Sequence, residues 1–148
     1  MKDGIKVTGK FVVKLFDKYG KLKDESPVQN VVTTAGKNYL AAWLAAASQA
    51  DYFMKYMGIG TGTTAAQATD TTLETEVLTR ATSTITSNTN VWIAQATFGP
   101  HTGSTLAITE AGVFSASTGG TMMSRQVFPV KNKEIGDTLQ LTWQITIS

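Results

Sequence analysis

Residues 5–16, Ile-Lys-Val-Thr-Gly-Lys-Phe-Val-Val-Lys-Leu-Phe, alternate with period two. Ile5, Val7, Phe11, Val13 and Leu15 fall on one side, and Lys6, Thr8, Lys10 and Lys14 on the other. This is the pattern of a half-buried strand with a basic outer face. Asp17-Lys-Tyr-Gly20 reads as a hairpin turn, with Gly20 free to take a positive φ. A second strand follows from about Lys21, is weakened near Pro27, and resumes over Val28–Val32.

The period changes at Thr34. Tyr39, Leu40, Trp43, Leu44 and Ala47 recur at spacings of three and four, and alanine fills most of the remaining positions. This predicts one amphipathic helix from Thr34 to about Gln49, capped by Thr33 or Thr34, covering an opening or edge of the sheets. Met54–Ile59 is a short apolar strand running into a loop of small residues, 58–69. Asp70-Thr-Thr-Leu-Glu-Thr-Glu-Val77 reads as a short helix with Asp70 as its cap. Strands are expected at Arg80–Ser87, Val91–Phe98 (Trp92, Ala94, Ala96 and Phe98 on one face), Ile108–Ser115 and Thr121–Pro129. Residues 131–137 read as a polar connection. In the last strand Leu139, Leu141, Trp143, Ile145 and Ile147 alternate with Gln140, Thr142, Gln144 and Thr146, a pattern that resists register slip.

Seven to eight short strands with turn signals between them predict a mainly β fold. It is an antiparallel β-sandwich or partly closed, jelly-roll-like barrel with one amphipathic α-helix. There is no internal repeat and no linker, so residues 1–148 read as a single domain. Composition agrees: the 24 threonines equal all charged residues combined, and the β-branched side chain suits a pleated surface.

Composition also narrows the chemistry. With no cysteine and one histidine, disulfides, thiol nucleophiles, iron–sulfur clusters and two-His or Cys-based metal sites are excluded. A formal charge of +2 gives no argument for nucleic acid. The longest apolar stretch, Tyr39–Ala47, is far short of a membrane span, and the chain starts without the apolar run of a signal peptide. A protein made in a cytoplasm is expected, with no nucleic-acid or membrane partner.

Gly58-Ile-Gly-Thr-Gly62 has the look of a phosphate loop, but Thr63-Thr-Ala follows where Lys-Ser or Lys-Thr is needed, and Thr63 stands where a dinucleotide fingerprint has its third glycine. A turn whose backbone passes close to a neighbour is the expectation. His101 reads as a solvent-facing loop residue. Glu74 and Glu76 read as a charge bias at a helix N-terminus. Glu110 and Arg125, on neighbouring predicted strands, read as a structural ion pair. No catalytic residue, metal ligand or cofactor is assigned.

Lys2, Lys6, Lys10, Lys14 and Lys18 recur every four residues, which on a strand keeps Lys6, Lys10 and Lys14 on one face. Two readings stand: a face that meets an acidic partner, or an edge strand guarded by lysines. Trp43 and Trp143 are expected in the core. Trp92 is the interface candidate, because Val91 and Ile93 make the opposite face partly apolar. For an alternative function, carbohydrate binding, the candidate aromatics are Tyr52, Phe53 and Tyr56.

The order of segments resembles a family of small tailed-bacteriophage virion proteins. The resemblance rests on Val31-Val-Thr-Thr-Ala-Gly36 opening the helix, then Gly58-Ile-Gly-Thr-Gly-Thr-Thr-Ala65 leading to Asp70-Thr-Thr-Leu-Glu74. Ile108-Thr-Glu-Ala-Gly-Val-Phe114, Gly119-Gly120, Arg125-Gln-Val-Phe-Pro129 and Gly136-Asp137 with Leu139 and Trp143 complete it. It covers nearly the whole chain. It implies a non-enzymatic capsid decoration or cement protein on the virion surface, partnered by the major capsid protein and by itself as a homotrimer. Tail-fibre and appendage proteins that bind a host receptor or carbohydrate share similar segments.

Overall fold

A computed structural model describes residues 4–46 and 54–148. The elements run β1 (Val7–Phe16), β2 (Leu22–Val32), α1 (Thr34–Ala45), β3 (Tyr56–Gly60), β4 (Glu76–Thr82), β5 (Thr84–Asn88), β6 (Val91–Phe98), β7 (Leu106–Phe114), β8 (Met122–Lys133) and β9 (Thr138–Ile147). Every strand pairing is antiparallel, in the order β4-β3-β7-β8-β2-β1-β9-β6-β5.

The ladder divides into two five-stranded sheets that share β2. Its first part pairs with β1, from Phe16↔Leu22 to Gly9↔Asn30, and Val31 and Val32 pair with Arg125 and Ser124 of β8. At the far side β4 and β5 are separated only by buried Ser83, so one stretch of chain edges both sheets. The result is a β-sandwich cornered by chain on both sides, with no closed barrel. Among the described residues there are nine strands, one or two more than expected, because Ser83 splits the strand foreseen at Arg80–Ser87 and β4 reaches back to Glu76.

The inward residues of both sheets form one core. Phe11 of β1 lies 4.5 Å (ring centroids) from Trp143 of β9 and 5.4 Å from Phe128 of β8, so its ring ties the sheets together. Val13, Leu15, Ala94, Ala96, Phe98, Met57, Ile59, Val113, Leu139 and Leu141 pack around it. The alternation in β1, β6 and β9 is met except at the ends, where Ile147 of β9 and Ile5, just before β1, are exposed and not on the core; elsewhere a strand with one face buried cannot slip by one position without exposing that face.

Three expectations fail. Residues 70–75 form no helix; their amides are bonded elsewhere, as described below. Residues 131–133 are not a loop but the end of β8, where Lys131 and Lys133 are buried. The helix is capped by Thr33, whose hydroxyl accepts from the Gly36 amide at 2.9 Å, but it rests on β8 mainly at its start. A Cβ on Gly36 would collide with the Met123 backbone. Farther along, Tyr39 and Leu40 are half-buried, Trp43 is 36% exposed and Leu44 70% exposed, so the assignment of Trp43 to the core is corrected. The expected continuation of the helix to Gln49 lies outside the described residues, as do Tyr52 and Phe53.

Candidate functional site

Glu110 and Arg125 occupy diagonal positions on β7 and β8, Glu110 opposite Val127 and Arg125 opposite Gly112. Both are buried. The Arg125 Nε donates to Glu110 Oε2 at 2.9 Å, Nη1 to Asp70 Oδ2 at 2.8 Å, and Nη2 to the Thr64 carbonyl at 3.1 Å. The Glu110 carboxylate also accepts from the backbone amides of Gly62 (3.1 Å), Glu74 (3.0 Å) and Thr75 (2.8 Å). Four donors converge on two oxygens, so this buried charge is fully compensated. Burial works to lower the Arg125 guanidinium, and the carboxylates of Asp70 and Glu110 outweigh it and raise it.

The glycine loop therefore holds an anion, and that anion is the chain's own Glu110. A Cβ on Gly60 would meet Glu110 Oε1 and the Thr75 carbonyl, and one on Gly62 would meet Glu110 Oε1 at 2.6 Å. This close approach is what the glycine run was expected to serve. The same contacts explain the missing helix at 70–75, since the Glu74 and Thr75 amides turn toward Glu110. Glu74 and Glu76 are thereby reassigned. Glu74 accepts from the Thr64 amide at 3.0 Å, the leading cause that lowers its carboxyl below the ordinary range. Glu76 binds Arg80 through Nε at 2.6 Å and Nη2 at 3.0 Å. Arg80 lies 3.4 Å over the Phe114 ring and donates to the Ala116 and Gly119 carbonyls.

A second polar cluster gathers at the end of β8. Lys131, 1% exposed, reaches Asp24 Oδ2 and Ser26 Oγ, each at 2.8 Å. Lys133, fully buried, donates to the carbonyls of Gly99 (2.8 Å) and Asp137 (2.7 Å) and to His101 Nδ1 (3.0 Å). Burial pushes the Lys133 ammonium down, against the opposing charge of Asp137. Burial also works to raise the Asp137 carboxyl, but the Lys23 hydrogen bond at 2.8 Å, the Glu134 amide and the nearby lysine charges outweigh it, and the net shift is down. His101 is consequently half-buried and bonded at both ring nitrogens, not a free loop residue. Its role is not legible locally, because Lys133, four residues after Pro129, gives no sign of pointing inward until β8 is known to continue there.

The outer face of the first sheet carries the predicted contact residues. β1 lies between β2 and β9, so its lysines do not guard an edge, and that reading is withdrawn. Lys10 faces Gln29 and Gln144, and Lys14 faces Glu25 and Gln140; Lys6 continues the row opposite Ser148. Beyond them stand Thr142, Thr146, Val91, Ile93, Gln95 and Thr97. Glu25 is the acid opposite this row, 3.9 Å from Lys14 with both side chains well exposed. Trp92, opposite Ile145, points the other way and packs half-buried against the core, so it leaves the contact face.

An open cleft of about 400 Å³ lies near the β1–β2 turn, lined by Asp17, Lys18, Tyr19, Thr105, Glu134 and Ile135, among others. Among the described residues no helix is long and apolar enough to cross a membrane, and no group of three or more His, Asp or Glu is placed to hold a metal. Comparison with protein-family models, with curated proteins and with solved structures found no match to the chain.

Proposed function

We propose that this protein is a structural, non-catalytic component of a tailed-phage virion, a capsid decoration or cement protein. In this reading it docks through the outer face of its first sheet onto an acidic surface of the major capsid protein. The observation that supports it most is that face: Lys6, Lys10 and Lys14 in one row on an internal strand, beside a broad Thr/Gln field with small apolar positions at Val91 and Ile93. Charge of one sign on such a surface gives steering and register, while the uncharged field supplies contact area. The two buried polar clusters support the same reading, since their charges are spent on one another and on backbone. Self-association as a homotrimer, three times the 15.8 kDa chain mass, belongs to this proposal.

Mass spectrometry and microscopy of purified virions test it. The expected result is a copy number that scales with the capsid lattice, lost when Lys6, Lys10 and Lys14 are changed to Glu. A few copies at the tail tip would overturn it. The second reading, a receptor- or carbohydrate-binding appendage, is favoured by Tyr19, 83% exposed at the cleft beside Asp17, Thr105 and Glu134. Tyr56 is half-buried against Leu73, Phe114 and Met122 and does not serve it. Saturable binding on a glycan array, lost in Tyr19→Ala, would favour that reading instead.

A further inference from the structure

His101 is the only histidine in the chain, and its two neighbours fix its protonation state. A lysine ammonium has three hydrogens to donate and no lone pair, so Nδ1, 3.0 Å from Lys133 Nζ, must present its lone pair. The Ser104 carbonyl can only accept, so Nε2, 3.0 Å from it, must carry the proton. The imidazole is therefore neutral in this arrangement, and its tautomer is set. A second proton can only go on Nδ1. There it would remove the hydrogen bond and place a second positive charge 3.0 Å from that of the fully buried Lys133.

We propose that the His101–Lys133 contact is an acid-released latch, holding residues 99–105 against the end of β8 and letting them go when His101 takes up a proton. Among the described residues the segment is tied to its surroundings by three hydrogen bonds: Lys133 to the Gly99 carbonyl, Lys133 to His101, and the His101 amide to the Ile135 carbonyl at 3.0 Å. Two of the three pass through Lys133. Thr105, the last residue of the segment, lines the open cleft, so its release reshapes that end of the sandwich. The sign follows from the geometry. The arrangement needs the neutral ring, so the latch is closed while His101 is unprotonated and opens when acid adds the second proton.

The charged groups on the surrounding elements do not reverse this. From β8 comes Lys133, and from β2 Lys23. From the turn after β8 come Glu134 and Asp137, and from the β1–β2 turn Asp17 and Lys18. Asp137 already holds Lys23 at 2.8 Å and stays ionised through the histidine range. Lys23 is raised by that same contact and stays charged.

The test uses the full chain and His101→Asn, whose amide oxygen can take the place of Nδ1 as an acceptor for Lys133 without titrating. Thermal midpoints are compared between about pH 7.5 and pH 5, a window spanning the ordinary histidine range. The wild type is expected to lose stability across it and the variant to stay level; equal slopes in the two proteins would overturn the proposal. Should the variant fail to fold, amide exchange in the wild type decides. Residues 99–105 are expected to exchange about tenfold faster relative to the β9 amides at the acid end, after correction for intrinsic rates. Unchanged relative protection would overturn the latch.

Discussion

The Glu110 carboxylate and the Arg125 guanidinium sit 2.9 Å apart at diagonal positions of a two-strand ladder, and between them they fix the long excursion from β3 to β4. Glu110 holds its amides from inside and Arg125 holds Asp70 and the Thr64 carbonyl. The stretch that looks most like a ligand loop in sequence is therefore bound from within.

Removing one partner exposes the cost of the other. Glu110→Gln leaves Arg125 short of a charge and sets an amide donor among backbone donors. A loss of about 3–5 kcal/mol is expected, as for other broken buried pairs, read by urea denaturation. A loss under 1 kcal/mol would mean the clasp is dispensable.

Gly60→Ala and Gly99→Ala make a matched pair. A methyl at Gly60 meets Glu110 and the Thr75 carbonyl, whereas one at Gly99 meets nothing within 4 Å. The first is expected to cost about 1–3 kcal/mol by overpacking and the second to stay within about 0.5 kcal/mol. Thermal melts of the two variants side by side check this.

Phe11 bridges the sheets, so Phe11→Ala should cost about 3–5 kcal/mol through lost burial and the cavity left behind. Calorimetry would show a lowered midpoint in a single transition if both sheets melt together.

At the start of α1, Thr33 is fully buried. Its hydroxyl accepts from the Gly36 amide and also donates to the Met122 carbonyl at 2.6 Å. Thr33→Ser keeps both bonds and Thr33→Ala loses them. The alanine variant is expected to be about 1–2 kcal/mol less stable than the serine variant, read from denaturant midpoints.

Asp137 gives a second, more acidic pH dependence. Its carboxyl is held below the ordinary range in the fold, so the stability it contributes is present above the unfolded value. That contribution is lost as pH falls through the folded one. Stability of the wild type should fall below about pH 4, where ordinary aspartates titrate, and Asp137→Asn should flatten that part of the profile. A fluorescence-monitored acid titration of both proteins separates this step from the histidine step.

Strand alternation was legible wherever one face is buried and the other wet, as in β1, β6 and β9. The Glu110–Arg125 ion pair was legible too, because a short turn between two strands brings nearby residues together. The helix cap at Thr33 could be read to within one residue. The lysines at 131 and 133 were not, because a buried lysine looks like a loop lysine until its carbonyl and carboxylate partners are in place. Nor was the exposure of Trp43, which lies on a helix whose apolar stripe extends beyond its contact with β8; Trp92 keeps the face its strand pattern shares with Ala94, Ala96 and Phe98, and it is its assignment to an interface that fails.

By itself the sequence determined the β-rich class, the antiparallel strands and the inward and outward residues of most of them, because a period of two is a local property of the chain. Tertiary structure alone decided which strands are internal, and with that it turned the lysine row from an edge guard into the middle of a face. It also decided that residues 70–75 do not coil into a helix. The amides a helix would have used are claimed by Glu110, a carboxylate brought in from β7, and a long-range bond of that kind leaves no mark on the local pattern.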